Sequence, residues 1–160
     1  MDDTKSYMKM HSSIFDRHKQ RQRGCGLLRL MKDKGRNLLC VRKSEVTNRD
    51  STFAELISAI NNMGVAAAWR ATLNPLSLTC VNGNEIIFRG VNDDKQREKL
   101  KSITFKNGKL TDVRIEEATE LNHDDFETTD NRLRGELPEG NSISLKYKNG
   151  DIIFLIGNRR

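Results

Sequence analysis

Two adjacent carboxylates, Glu116 and Glu117, close the short β-prone run in "LTDVRIEEATEL" (110–121), where Arg114 interrupts Val113 and Ile115. Like charges side by side at a strand end repel each other unless water solvates them or a cation neutralises them. The pair is therefore either surface charge or a constellation that holds a metal ion and polarises a water. In the second case one acid keeps a divalent ion against phosphate oxygens and its neighbour orients the attacking water. Such hydrolysis rests on positioning and charge neutralisation. The pair alone does not decide between the two readings; a phosphate grip elsewhere in the chain is needed.

The elements that must position the pair are read from periodicity. "LLRLM" (27–31) predicts the last turns of a helix ending at Gly35, and "NLLCV" (37–41) a strand buried on both faces. In "DSTFAELISAINNMG" the residues Phe53, Leu56, Ile57 and Ile60 recur at helical spacing. Thr52 with Glu55 reads as a capping box, and Gly64 as the C-terminal stop. "LSLTCVNGNEIIFRGV" (76–91) predicts a hairpin with a type I′ turn at Asn82-Gly83. The polar stretch "NDDKQREKLKS" follows, and a turn at Asn107-Gly108 leads into the strand that ends at the glutamates. A helix starts near Asn122 or Asp124, with Phe126, Thr129 and Leu133 inward and Gly135 and Pro138 ending it. A second hairpin, turning at Asn149-Gly150, closes the sequence. This order predicts an α/β layered core with an incomplete sheet.

Composition bounds the answer. The 160 residues suffice for one ordinary domain, with 36% apolar and 31% charged residues and a mean hydropathy of -0.68. No run approaches the roughly 18–20 apolar residues of a membrane span, and the first residues have no apolar signal core. Residues 1–49 hold 13 Lys/Arg against 5 Asp/Glu; the remainder holds 15 against 17. A basic first third containing Lys19, Arg21 and Arg23 suits a polyanion through counterion release, and equally suits a solvated tail. Cys25, Cys40 and Cys80 show no paired or metal-ligand spacing, and His11, His18 and His123 are scattered. Cys40 and Cys80 fall in apolar runs, which predicts buried, inert thiols in a reducing compartment.

Four segments in order carry a resemblance: "GRNLLCVRKSEVTNRDSTFAEL" (35–56), "NGNEIIFRGVNDDKQREKLKSI" (82–103), "LTDVRIEEATEL" (110–121) and "DFETTDNRLRGELPEG" (125–140). Together they resemble the ATPase domain of the large terminase subunit of tailed bacteriophages, in the PBSX-type family of defective prophages. The resemblance covers about residues 27–140. It implies a P-loop NTPase core of the ASCE type, with Glu116 as the Walker B acid on the Mg²⁺ side and Glu117 as the catalytic carboxylate. It further implies ATP as nucleotide and double-stranded DNA as the packaged substrate. A small terminase subunit and a portal protein are the implied partners, and the cytoplasm of a bacterial host the implied location.

Two places depart from that family's pattern. Where it carries a GxxxxGK[ST] phosphate loop, this sequence reads "HKQRQRGCGLLRL", and no GK[ST] occurs in its 160 residues. After "LRGELPEG" it turns into "NSISLKYKNGDIIFLIGNRR" instead of a coupling motif and a nuclease. The expected organisation is a basic, poorly ordered segment (1–26), a partial ATPase domain (27–140) and a divergent hairpin (141–160). The expected function is that of a truncated or degenerate terminase large subunit, inactive alone. The alternative is a non-catalytic DNA- or assembly-partner-binding protein.

Overall fold

Strand β1 (Arg36–Arg42) is buried along most of its length, as its unbroken apolar run requires. It is the middle of the sheet in a computed structural model that describes residues 26–134, 142–146 and 152–156. The basic segment before residue 26, Gly135, Pro138, the Asn149-Gly150 turn and the side chain of Leu133 lie outside the described residues.

Helix α1 (residues 26–32) precedes β1, and Gly35, at φ 84°, turns the chain between them. After β1 come α2 (Glu45–Asn48), a π-helical turn (Arg49–Phe53) and α3 (Ala54–Asn62), which run on as one helical stretch. The remaining elements are β2 (Trp69–Leu73), β3 (Leu76–Cys80), β4 (Glu85–Gly90), α4 (Asp94–Lys101), β5 (Lys109–Ile115), α5 (His123–Arg134), β6 (Ser142–Lys146) and β7 (Ile152–Ile156). The sheet order is β2-β3-β4-β1-β5-β6-β7. Strands β4, β1, β5 and β6 are mutually parallel, whereas β2, β3 and β7 run antiparallel to their neighbours.

Helices pack on both faces. Leu27 and Leu30 of α1, with Phe53, Leu56 and Ile60, cover Cys40, Leu78, Ile86 and Phe88. Leu100 of α4 and Phe126 of α5 belong to the opposite layer with Leu39, Val41, Val91, Val113 and Ile115. The layered α/β arrangement matches expectation. The sheet is fuller than expected: it reaches seven strands, and the C-terminal hairpin extends it beyond β5.

Four local expectations change on contact with tertiary structure. The helix expected from residue 50 begins at Glu45, so Thr52, buried, is inside the helical run and the capping box does not form. Buried Asn48 explains the earlier start, because its amide donates to the carbonyls of Cys40 (3.1 Å) and Arg89 (3.2 Å) and ties α2 to β1 and β4. At the other end Gly64 (φ 69°) stops the helix as expected, with the Val65 N–H bonded to Ile60 and the Gly64 N–H to Asn61.

The β3–β4 turn is not type I′: only Gly83 (φ 90°) has positive φ there, within a three-residue loop closed by Cys80 and Asn84. Asn82 is drawn elsewhere, since its amide donates to the Leu30 and Met31 carbonyls at the end of α1. The polar stretch after β4 is helix α4, whose N-cap Asp93 accepts from the Gln96 N–H at 2.8 Å. Strand β2 had no counterpart in the sequence reading; it is a five-residue edge whose Arg70, Ala71 and Leu73 are exposed while Trp69 packs against the core.

The strand that carries the glutamates contains an irregularity that decides which way they face. Asn37 pairs with Leu110 but Leu38 pairs with Asp112, leaving Thr111 as an extra residue on β5. Leu110 and Val113, three residues apart, consequently enter the same apolar layer, which strict alternation forbids. Asn37 holds this bulge in place. Its N–H donates to the Thr111 hydroxyl, its amide to the carbonyls of Asn107 and Lys109, and its Oδ1 accepts from the Glu85 N–H. Beside it, Gly108 (φ 73°) has no room for a side chain, because a Cβ there would stand 2.2 Å from the Gly35 carbonyl oxygen.

Phe88 is fully buried and meets Phe53 edge-to-face, with centroids 5.3 Å apart. Phe88→Ala should therefore lower unfolding free energy by about 3–5 kcal/mol. Urea denaturation followed by circular dichroism measures it, and a loss below about 1 kcal/mol would contradict this core assignment.

Candidate functional site

Past the bulge, β5 alternates regularly. Val113 and Ile115 face the α4–α5 layer, which places Asp112, Arg114 and Glu116 on the α3 side. Asp112 lies 3.5 Å from the Arg36 guanidinium and 3.8 Å from that of Arg29. Arg114 is 2.5 Å from a Glu116 carboxylate oxygen and 3.9 Å from Glu55 of α3. Glu116 is only 2% exposed, so its charge is opposed by a cation and not by bulk water. Its backbone N–H still bonds to the Val41 carbonyl, extending the β1–β5 ladder past the strand end.

Glu117 stops that ladder. At φ 51° and ψ 54° it is the only non-glycine residue with positive φ among the described residues. A left-handed non-glycine backbone costs about 1–2 kcal/mol, and such residues persist where surrounding structure dictates them. The chain then enters a tight helical turn, Ala118–Glu120. Glu117 is half-buried, and its Oε2 is shielded from water with no hydrogen-bond donor among the described residues.

Cys40, paired in register with Arg114, lies beneath this charge. Burial pushes its thiol up to about 12, with Arg114 pulling it down and Glu116 adding to the rise. Cys40 and Cys80 are buried and free, matching the expectation of buried thiols.

A second ionic cluster braces the other layer. Asp125 on α5 is fully buried and accepts from Lys43, just after β1, at 2.7 Å and from Arg97 of α4 at 2.8 Å. Its carboxylate also accepts from the Asn122 N–H, and Asn122 Oδ1 accepts in return from the Asp125 N–H. Burial pushes the Asp125 carboxyl up, but Lys43, Arg97 and the Asn122 N–H outweigh it and hold it below its ordinary value.

Glu116 and Glu117 thus stand at the C-terminal end of a parallel strand, where open α/β sheets bind ligands. Hard oxygen donors, one of them a shielded carboxylate oxygen with no hydrogen-bond donor among the described residues, fit a small divalent cation, which takes one or two carboxylates and keeps waters. The Arg114 guanidinium already stands against the Glu116 carboxylate. No loop of the phosphate-gripping type occurs in the sequence to hold a triphosphate. Lys19, Arg21 and Arg23 lie outside the described residues.

Sequence reasoning read Glu55 as half of a capping box and gave none of Glu55, Arg114, Lys43, Asp125 and Arg97 a role in a site. Only Arg114, as the interruption of an apolar run, left a signal. The fold also gathers His123, Asp124 and Glu127 with donor atoms within 4.8 Å of one another, although all three are exposed at the start of α5.

A family model described as phage terminase large subunit matches residues 24–148. The PBSX phage terminase large subunit of Bacillus subtilis (strain 168) is 34% identical over 108 residues, covering 68% of this chain and 23% of the relative. The terminase large subunit of Bacillus phage SPP1 is 36% identical over 105 residues, covering 64% and 24%. Among solved structures, the large terminase from a thermophilic bacteriophage superposes with a TM-score of 0.52 at 14% identity. The match covers 69% of this chain and 27% of that one, a likeness of fold. The chain therefore spans about a quarter of the length of these relatives.

Asp125→Asn should cost on the order of 3 kcal/mol at pH 7, because it breaks a buried ion cluster. The folded-state carboxyl titrates below its ordinary value. Its stabilisation is therefore complete above the unfolded value, roughly 3.9, and is lost as pH falls through the folded one. Urea unfolding of both proteins should give curves that converge at acid pH; a gap independent of pH would contradict the assignment.

Proposed function

Because this chain belongs to the phage terminase large-subunit family, we propose that it carries the acidic half of the nucleotide-hydrolysing site of a DNA-packaging motor, on a P-loop NTPase core of the ASCE type. The observation that carries this reading is the end of β5. There a buried acid is followed by a left-handed glutamate whose shielded carboxylate oxygen has no donor among the described residues. Glu116 is the metal-side acid and Glu117 the carboxylate that orients the attacking water. An oxygen without a donor keeps a lone pair open to a water proton. Mg²⁺, when bound, would supply neutralisation of phosphate charge. The chain's own contribution is positional. The bulge at Thr111 sets the facing of Glu116, and the turn at Glu117 withdraws its carboxylate from bulk water.

ATP itself needs a grip on its phosphates as well. Without the backbone donors and lysine of a phosphate loop, two carboxylates repel a triphosphate unless a metal intervenes. A degenerate site, competent for the metal and deficient for the nucleotide, accounts for the sequence "HKQRQRGCGLLRL" in the loop's place. The family reading carries double-stranded DNA, a small terminase subunit and a portal protein as partners, in the cytoplasm of a bacterial host. Among the described residues no helix is long and apolar enough to cross a membrane.

The 160-residue chain should show no ATP turnover above a Glu117→Gln background in a coupled phosphate assay with Mg²⁺. Turnover by the parent that Glu117→Gln abolishes would overturn the deficient-site reading.

The charge asymmetry favours a second reading, in which the basic first third binds DNA or an assembly partner without catalysis. Reversing the charges of Lys19, Arg21 and Arg23 should weaken a salt-sensitive duplex-DNA mobility shift by at least about tenfold at low salt. Unchanged affinity would remove that segment from the interface.

A further inference from the structure

Arg114 is an unusual residue for a buried parallel strand. Its neighbours Val113 and Ile115 are each 1% exposed, and its register partner Cys40 belongs to the core. Its guanidinium has two acidic neighbours on different elements: Glu116, 2.5 Å away just past its own strand, and Glu55, 3.9 Å away on α3. The two are unequal in exposure, the Glu55 side chain being 32% accessible and that of Glu116 3%. The nearer acid is the one a divalent cation would need.

We propose that Arg114 is an internal counter-ion that competes with a divalent cation for Glu116, with Glu55 as the acceptor that holds the guanidinium when the cation is bound. The proposal rests on the reading of Glu116 as the metal-side acid. Its physical basis is exclusion of like charge. A guanidinium at contact with a carboxylate oxygen and a divalent ion on the same carboxylate repel strongly at low dielectric, so one displaces the other. The displaced guanidinium cannot be left buried without a partner, and Glu55 is the acid already beside it. Metal occupancy at the end of β5 is thereby coupled to α3 through one side chain. Arg114 acts through Glu116 and is a positioning residue.

The test is Mn²⁺ binding to the full chain without nucleotide, by electron paramagnetic resonance and calorimetry, with circular dichroism to confirm folding. Arg114→Gln should bind Mn²⁺ about tenfold more tightly than the parent, because the competing charge is gone. Glu55→Gln should bind several-fold more weakly, since the displaced guanidinium loses its acceptor. Glu55 is partly exposed, so this variant keeps the test decisive if Arg114→Gln fails to fold. Glu116→Gln should abolish binding. Parental or weaker affinity in folded Arg114→Gln, or parental affinity in Glu55→Gln, overturns the counter-ion role while loss in Glu116→Gln leaves the site reading standing. Mn²⁺ binding that persists in Glu116→Gln overturns the site reading, and the proposal with it.

Discussion

The contact between Asn37 and Thr111 decides what the end of β5 can do. A parallel strand buried on both faces has no solvent side to report a misplaced residue, so register must be imposed locally. Here one asparagine bonds to both flanking strands at once and locks an extra residue into β5. Were Thr111 paired as a regular ladder residue, the alternation inherited from Leu110 would send Arg114 and Glu116 into the apolar layer with Leu100 and Phe126. Burying two charges there without partners would cost several kcal/mol per ion. The bulge turns them instead toward α3, where Glu55 lies.

Charge in this fold is concentrated around the parallel strands. On the α1–α3 side a ladder of Asp112, Arg114 and Glu116 meets Arg29, Arg36 and Glu55. On the other side Asp125 binds Lys43 and Arg97 and pins α4 and α5 to the end of β1. Buried ion pairs are seldom the most stable filling for such positions, since apolar residues of similar volume often do as well or better. Their placement at the ends of β1 and β5 makes sense if the charges act on something that comes and goes. The left-handed backbone of Glu117 fits the same account, because strain of that kind collects at sites that act.

Much of this architecture was legible in the residues. "NLLCV" announced a doubly buried strand, the stripe from Phe53 to Ile60 a packed helix, and "RIEE" a strand ending in two acids. The rest was hidden for identifiable reasons. Helix α4 has only Leu100 buried, so there was no apolar period to read, and its signals were the Asp93 cap and the lysines of its last turn. The start of α2 was set by Asn48, whose partners are carbonyls on two other strands. Asn82 was a turn former by local chemistry and became a cap for α1 by tertiary contact. In the site itself, the two glutamates and the interrupting Arg114 were visible, but the link from Arg114 to Glu55 on α3 was not. The distance from Arg114 to Glu55 depends on a one-residue slip that no periodicity displays.

The cation site proposed at the end of β5 rests on Glu116, with Glu117 beside it. An anomalous difference map from crystals of the full chain soaked in Mn²⁺ tests it most directly. A peak within ligand distance of the Glu116 carboxylate is expected, with the Arg114 guanidinium moved toward Glu55. Density confined to the exposed group of His123, Asp124 and Glu127, or none at Glu116 under saturating metal, would contradict it.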